Sequence, residues 1–224
     1  IEAAFLATRQ PFARESWRGA SKAIDSYVQQ WVAMRGEACV ATRQRKEQSE
    51  EVLSLRMACL DRRLMGVKAL TGLYAHADAQ VVEKAVGAAQ SLDSIHQCAD
   101  IRALKAVVPP PKDAATAAEV RATRTMVVEA KALIDSGKYE EGQRVAREAV
   151  SKAKTLGYRP LEAEALEGLG EGLMDSNPRE AELIFEQSIW SAQSVADDRL
   201  LSLAALKQAF VVGYLQHKPA EGKR

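Results

Sequence analysis

The sequence predicts an all-α protein: a helical-hairpin bundle followed by a run of further helical hairpins. Three observations carry that expectation. Ala, Leu, Glu, Gln, Lys and Arg dominate while β-branched and aromatic residues are scarce, so strong helix formers prevail along nearly the whole chain. Apolar residues recur at steps of three, four and seven, the spacing that lines one face of a helix. Pro109, Pro110 and Pro111 in "AVVPPPKDAATAAE" cannot continue a helix, which divides the chain into a bundle over 1–105, a linker over 106–115 and repeats over 116–224.

In the first region Trp17, Ile24, Trp31 and Ala38 fall every seven residues, with Tyr27, Val28 and Met34 between them, the pattern of one long helix with a buried stripe. Leu53, Met57, Leu60, Leu64 and Val67 form a second such seam. The polar stretch "TRQRKEQSEE" separates the two, and Ser49 is placed to cap the second helix, so the simplest arrangement is an antiparallel hairpin. A third helix is expected after Asp78, and a short one in "DIRALKAV" leads to the prolines.

The second region repeats itself. "EAKALIDSGKYEEGQRVAREAVSKA" reads as helix, turn and helix, with small residues at Gly142, Ala146 and Ala149. "LEGLGEGLMDSNPREAELIFEQSIWSA" echoes it, with Gly170 inside the first helix, Pro178 at the turn, and Ala181, Phe185 and Ser188 in matching places. A third copy starts in "RLLSLAALKQAFVVGYLQHKPAEG". The period of about 40 residues suits helical-hairpin repeats. Gly137, Tyr139, Gly142 and Ala149, then Gly170, Ala181 and Phe185, resemble the tetratricopeptide repeat, although Pro178 replaces the usual turn aromatic and no Trp stands early in the first helix.

That resemblance implies a right-handed α-solenoid whose first helices line a surface for a protein or peptide partner. In register with the family, the surface positions are Arg124, Val127 and Lys131 in the first repeat and Glu164, Glu167 and Glu171 in the second, a basic wall beside an acidic one. Asn177, the sole asparagine, falls at a turn, which disfavours the asparagine-based clamp that some such repeats close on a peptide carboxylate.

A second resemblance spans most of the chain. "AFLATRQPFARESWRGASKAIDSYVQQWVAMRGEACVATRQRKEQSEEVLSLRMACLDRRL", "CADIRAL", "PPPKD", "LGYRPLEAEAL" and "AFVVGYLQHKPAE" resemble the region after the catalytic domain in large serine/threonine protein kinases of myxobacteria. It implies a membrane-anchored kinase of which this is a non-catalytic sensor or protein-interaction segment on the periplasmic side, with the anchor preceding it. The alternative is a structural or oligomerising module that brings kinase domains together without ligand, as a homodimer. The chain opens at Ile1 and breaks off within the third copy, so it is expected to be a piece of a longer protein. It contains no Gly-rich phosphate loop, no HRD and no DFG, so no phosphoryl transfer is expected of it.

Thirty-one basic against 30 acidic residues leave a net charge of +1, which argues against nucleic acid as a partner. No two Cys or His stand at CxxC or HxxxH spacing, and the three histidines are isolated, so neither a metal, a cofactor nor a catalytic site is expected. Arg43, Arg45 and Lys46 lie among Glu47, Glu50 and Glu51 at the hairpin apex and read as a solvated, self-paired turn. Cys39 and Cys59 fall ten residues either side of Ser49, hence at one height in the hairpin, and form the candidate disulfide. Two buried thiols, or a bridge involving Cys98, are the alternatives. A bridge implies an oxidising compartment and agrees with the periplasmic reading, whereas free cysteines imply the cytoplasm.

Overall fold

The computed structural model describes residues 1–106 and 108–222 and is helical throughout, with no strand among them. Two compact units partition the chain, the first comprising 1–105 with 135–138 and the second 106–134 with 139–224.

The first unit holds α1 (Glu2–Ala7), α2 (Ala13–Arg43), α3 (Glu50–Ala75), α4 (Ala79–Gln90), a 3-10 helix at Ile95–Ala99 and α5 (Ile101–Ala106). The caps follow from side-chain chemistry: Ser49 accepts a hydrogen bond from the Val52 amide at 3.3 Å, and Asp78 accepts one from the Val81 amide at 3.0 Å. The Lys138 ammonium donates to the other Asp78 carboxylate oxygen and holds that carboxyl below the usual aspartate range. The core gathers Phe5, Ile24, Tyr27, Leu60, Leu70, Tyr74, Val82 and Ile95. Trp17 and Trp31 pack on its edge; the Phe5 ring lies 5.4 Å from both Trp17 and Tyr74, and Trp31 Nε1 donates to the Leu60 carbonyl at 2.8 Å.

The hydroxyls buried between the helices of this unit donate to backbone carbonyls. Ser16 Oγ donates to the Val82 carbonyl and Tyr74 Oη to that of Ala85, fixing α4 against α2 and α3. Tyr27 Oη donates to the Asp93 carbonyl at 2.8 Å, and burial pushes its pKa up to about 12. At the apex Arg45 pairs with Glu37 and, at 2.8 Å, with Glu47, while Arg43 lies 3.9 Å from Glu50, so both arginines of the basic cluster face acidic neighbours.

The second unit runs through α6 (Ala114–Asp135), α7 (Tyr139–Leu156), α8 (Arg159–Leu173), α9 (Pro178–Gln193), α10 (Asp198–Phe210) and a π-helical turn at Val211–Leu215. The expected linker is shorter than the sequence suggests. Asp113 accepts hydrogen bonds from the Thr116 amide and hydroxyl, both at 2.7 Å, and thereby starts α6 at Ala114. The turn 135–138, expected inside the first repeat, groups instead with the first unit. Asn177 caps α9 by accepting from the Glu180 amide, with Pro178 in the first turn where its missing N–H costs nothing.

Close helix approach in the second unit rests on glycine. A Cβ at Gly142 would stand 2.6 Å from Ile134 Cγ1 and 3.1 Å from the Ala130 carbonyl oxygen; one at Gly170 would stand 2.7 Å from the fully buried Phe185 ring. Both positions lack the room for any side chain, so α6 meets α7, and α8 meets α9, backbone to side chain.

Candidate interaction face

Of the six surface positions expected from the sequence, four pair with one another. Arg124 of α6 pairs with Glu164 of α8 at 3.0 Å, and Lys131 lies 3.9 Å from Glu171. Lys207 of α10, not foreseen as part of this face, pairs with Glu167 and, at 3.0 Å, with Glu171. Val127 packs against the second unit's core instead of standing free. The two walls of opposite charge are therefore one laced seam across α6, α8 and α10.

The lacing is regular in sequence. Arg124 with Glu164 and Lys207 with Glu167 are each separated by 40 residues. On the other layer the separation is 33: Gln143 with Ser176 at 3.0 Å, Arg147 with Glu180 at 2.6 Å and Lys154 with Gln187 at 3.1 Å join α7 to α9 or to the turn before it. Side-chain pairs at two constant separations thus tie α6, α8 and α10 on one layer and α7 and α9 on the other. A charge of opposite sign 40 residues away was the signal in the sequence that names Lys207.

Burial sets the electrostatics of the seam. It raises the Glu167 carboxyl above the usual glutamate range, with Lys207 opposing and Glu171 adding to the rise. Burial also disfavours the Lys207 ammonium, but Glu167 and Glu171 outweigh it and hold that pKa above the usual lysine value. Arg124 is likewise kept charged against its burial by Glu164 and Tyr158. Charges this enclosed exchange partners at a cost, so the seam serves first to register the helices.

The expected bridge between Cys39 and Cys59 is corrected by the structure. Cys59 is bonded to Cys98, with Cα atoms 5.5 Å apart, and Cys39 is a partly exposed free thiol. Two helices packed side by side keep their axes 8–10 Å apart, which strains a bridge between mirror positions of the hairpin. The short 3-10 helix instead carries Cys98 directly onto α3. Arg63 secures that segment by donating to Asp93 and Gln97, both at 2.7 Å, and to the Ser94 carbonyl.

Among the described residues no group of three or more His, Cys, Asp or Glu could hold a metal ion, and no helix is long and apolar enough to cross a membrane. A surface cavity of about 310 Å³ lies at the start of α9, where Asn177 is engaged in capping and Gln216 donates to Glu182 and the Pro178 carbonyl. The chain matches no known family model, and comparison with curated proteins and with solved structures likewise gives no match.

Proposed function

We propose that residues 114–222 are tetratricopeptide-like repeats of an α-solenoid and that the chain is a non-catalytic interaction and sensing segment of a membrane-anchored serine/threonine kinase. Its ligand is a protein or peptide taken up along the face of α6, α8 and α10. The observation that carries this reading is the double register of the helical pairs, 40 residues apart on one layer and 33 on the other, with glycine at each intra-pair approach. The resemblance of the sequence to the region following myxobacterial kinase domains supplies the context. The buried Cys59–Cys98 bridge supports an oxidising compartment, hence the periplasmic side of the membrane.

Because the seam's charges are already paired, a partner binds there by competing for them, and its affinity depends steeply on salt. The test places a photo-crosslinking residue at Val127 on the inner layer or at Trp190 on the outer surface and exposes the protein to myxobacterial periplasmic extract. Adducts of one discrete mass from position 127, weakened by salt and absent from position 190, are expected. Adducts from neither position, or equally from both, overturn the reading.

A further inference from the structure

The large apolar residues that the second unit leaves in solvent include Leu183 and Trp190 on α9 and a run of three along α10 and the turn after it. Leu206, Phe210 and Tyr214 are 70%, 46% and 68% exposed, and the Phe210 and Tyr214 rings stack with centroids 5.1 Å apart. Steps of four follow one face of a helix, and the half-buried Leu203 extends the stripe by a step of three, the spacing of a helix-pairing seam.

The charge pattern identifies what fits this stripe. Between Leu200 and Gln216 the sequence carries a single charge, Lys207, and its ammonium is taken by Glu167 and Glu171 of α8. A charged peptide finds no unspent counter-charge there. In a two-fold contact the side chains nearest the axis meet their own copies, where a charge would repel itself, so self-pairing along a single helix favours an apolar, uncharged stripe. We propose that the face bearing Leu206, Phe210 and Tyr214 pairs with the same face of a second copy, forming a two-fold dimer through α10 and the π-helical turn.

The size of the stripe sets the strength. At roughly 200 Å² per large apolar side chain, the exposed fractions of the three residues amount to about 370 Å² per copy. For the two copies together that is about 740 Å², under the roughly 1,200 Å² of a standard specific interface, so the dimer expected is a weak one. The dimer is tested without any partner on the seam, so its presence or absence leaves the proposed function to its own test.

Sedimentation equilibrium of the whole chain from about 1 to 200 μM decides the matter, in a Cys39→Ser background so that intermolecular disulfides do not mimic association. The parent and a Trp190→Ser control, which alters an exposed aromatic on α9, are expected to pass from monomer to dimer over that range. Phe210→Ser/Tyr214→Ser, and separately Leu206→Glu, are expected to weaken association at least tenfold while retaining the helical circular dichroism. A parent that stays monomeric at the highest concentration overturns the proposal and leaves the stripe to a different protein or to further chain. A dimer indifferent to both stripe variants overturns it as well.

Discussion

Cys59 of α3 and Cys98 of the 3-10 helix are bonded with their Cα atoms 5.5 Å apart, closing a loop whose ends are 39 residues apart in sequence. Both side chains are buried, and Arg63 and Tyr27 clamp the neighbouring residues 93–97 by hydrogen bonds. A closed loop of this length removes about 4 kcal/mol of unfolded-state freedom. Cys59→Ala/Cys98→Ala is therefore expected to lower the calorimetric midpoint of the first unit by about 15 °C. Thiol titration in denaturant should find one reactive group, Cys39, without reductant and three with it. Three thiols in oxidised protein, or a shift under about 5 °C, would refute the staple.

Gly170 and Phe185 are matched by size alone. A methyl group at position 170 would meet three atoms of a ring that has no solvent side to move into. Gly170→Ala is expected to cost about 1–3 kcal/mol through overpacking, even though alanine is the better helix former. Phe185→Leu in the same chain should recover part of that loss, and urea unfolding of the two single variants and the double variant measures the coupling. Additive losses would mean that α8 and α9 do not meet at this pair.

Much of the local structure was legible because its causes are local. Ser49 and Asp78 announce their helices, since a cap needs only a short side chain three residues ahead of an amide. The heptad run from Trp17 to Ala38 marks the buried edge of α2, since periodicity reports which face is covered. The cysteine partner was not legible, because it depends on where the chain returns after α4; symmetry about the hairpin apex favoured Cys39, but only the 3-10 helix brings a cysteine close enough. The seam lies between these cases. Its residues were named from a family resemblance, while their mutual pairing required reading charge 40 residues away, from Arg124 to Glu164 and from Glu167 to Lys207. The boundary of α6 shifted to Ala114 for a similar reason: the Asp113 cap, not the last proline, starts the helix.

Lys207 stands between two carboxylates, and its removal should be felt differently at different pH. Its folded pKa lies above the usual 10.5, so its contribution is complete below that value and is lost as pH rises through the folded pKa. Glu167 is raised above its usual 4.5, so folding favours its protonated form, and stability from that group declines as pH rises through its folded pKa. Lys207→Met leaves Glu167 and Glu171 facing one another with only the more distant Lys131 to offset them. The expected cost is about 2–4 kcal/mol at pH 8, shrinking toward pH 5 as Glu167 takes up a proton. Urea midpoints of parent and variant at the two pH values check this, and an equal loss at both would rule out the shared-cation account.

Arg56 offers the opposite sign. It is 6% exposed in the α2–α3 hairpin; Nη1 donates to Gln48 Oε1 at 3.0 Å, Nη2 reaches Met34 Sδ at 3.1 Å, and Nε has no hydrogen-bond partner. Neither hydrogen-bond partner is a carboxylate, and the nearby Glu37 carboxylate, which attracts Arg56 only through space, is already taken by Arg45, so the contacts recover only part of a desolvation cost of several kcal/mol. Gln48 does not depend on Arg56 for its place, because its Nε2 donates to the Ala38 carbonyl at 2.9 Å and to Thr42 Oγ1 at 2.7 Å. Methionine reproduces most of the aliphatic stem and adapts to the remaining space. Arg56→Met is therefore expected to stabilise the first unit by about 1–3 kcal/mol, whereas Arg56→Ala, which removes the stem and leaves a void, should destabilise it by a similar amount. Denaturant unfolding of both variants separates charge from packing: losses in both would show that the guanidinium's contacts outweigh its burial, and only a gain with methionine identifies the charge itself as the destabilising element.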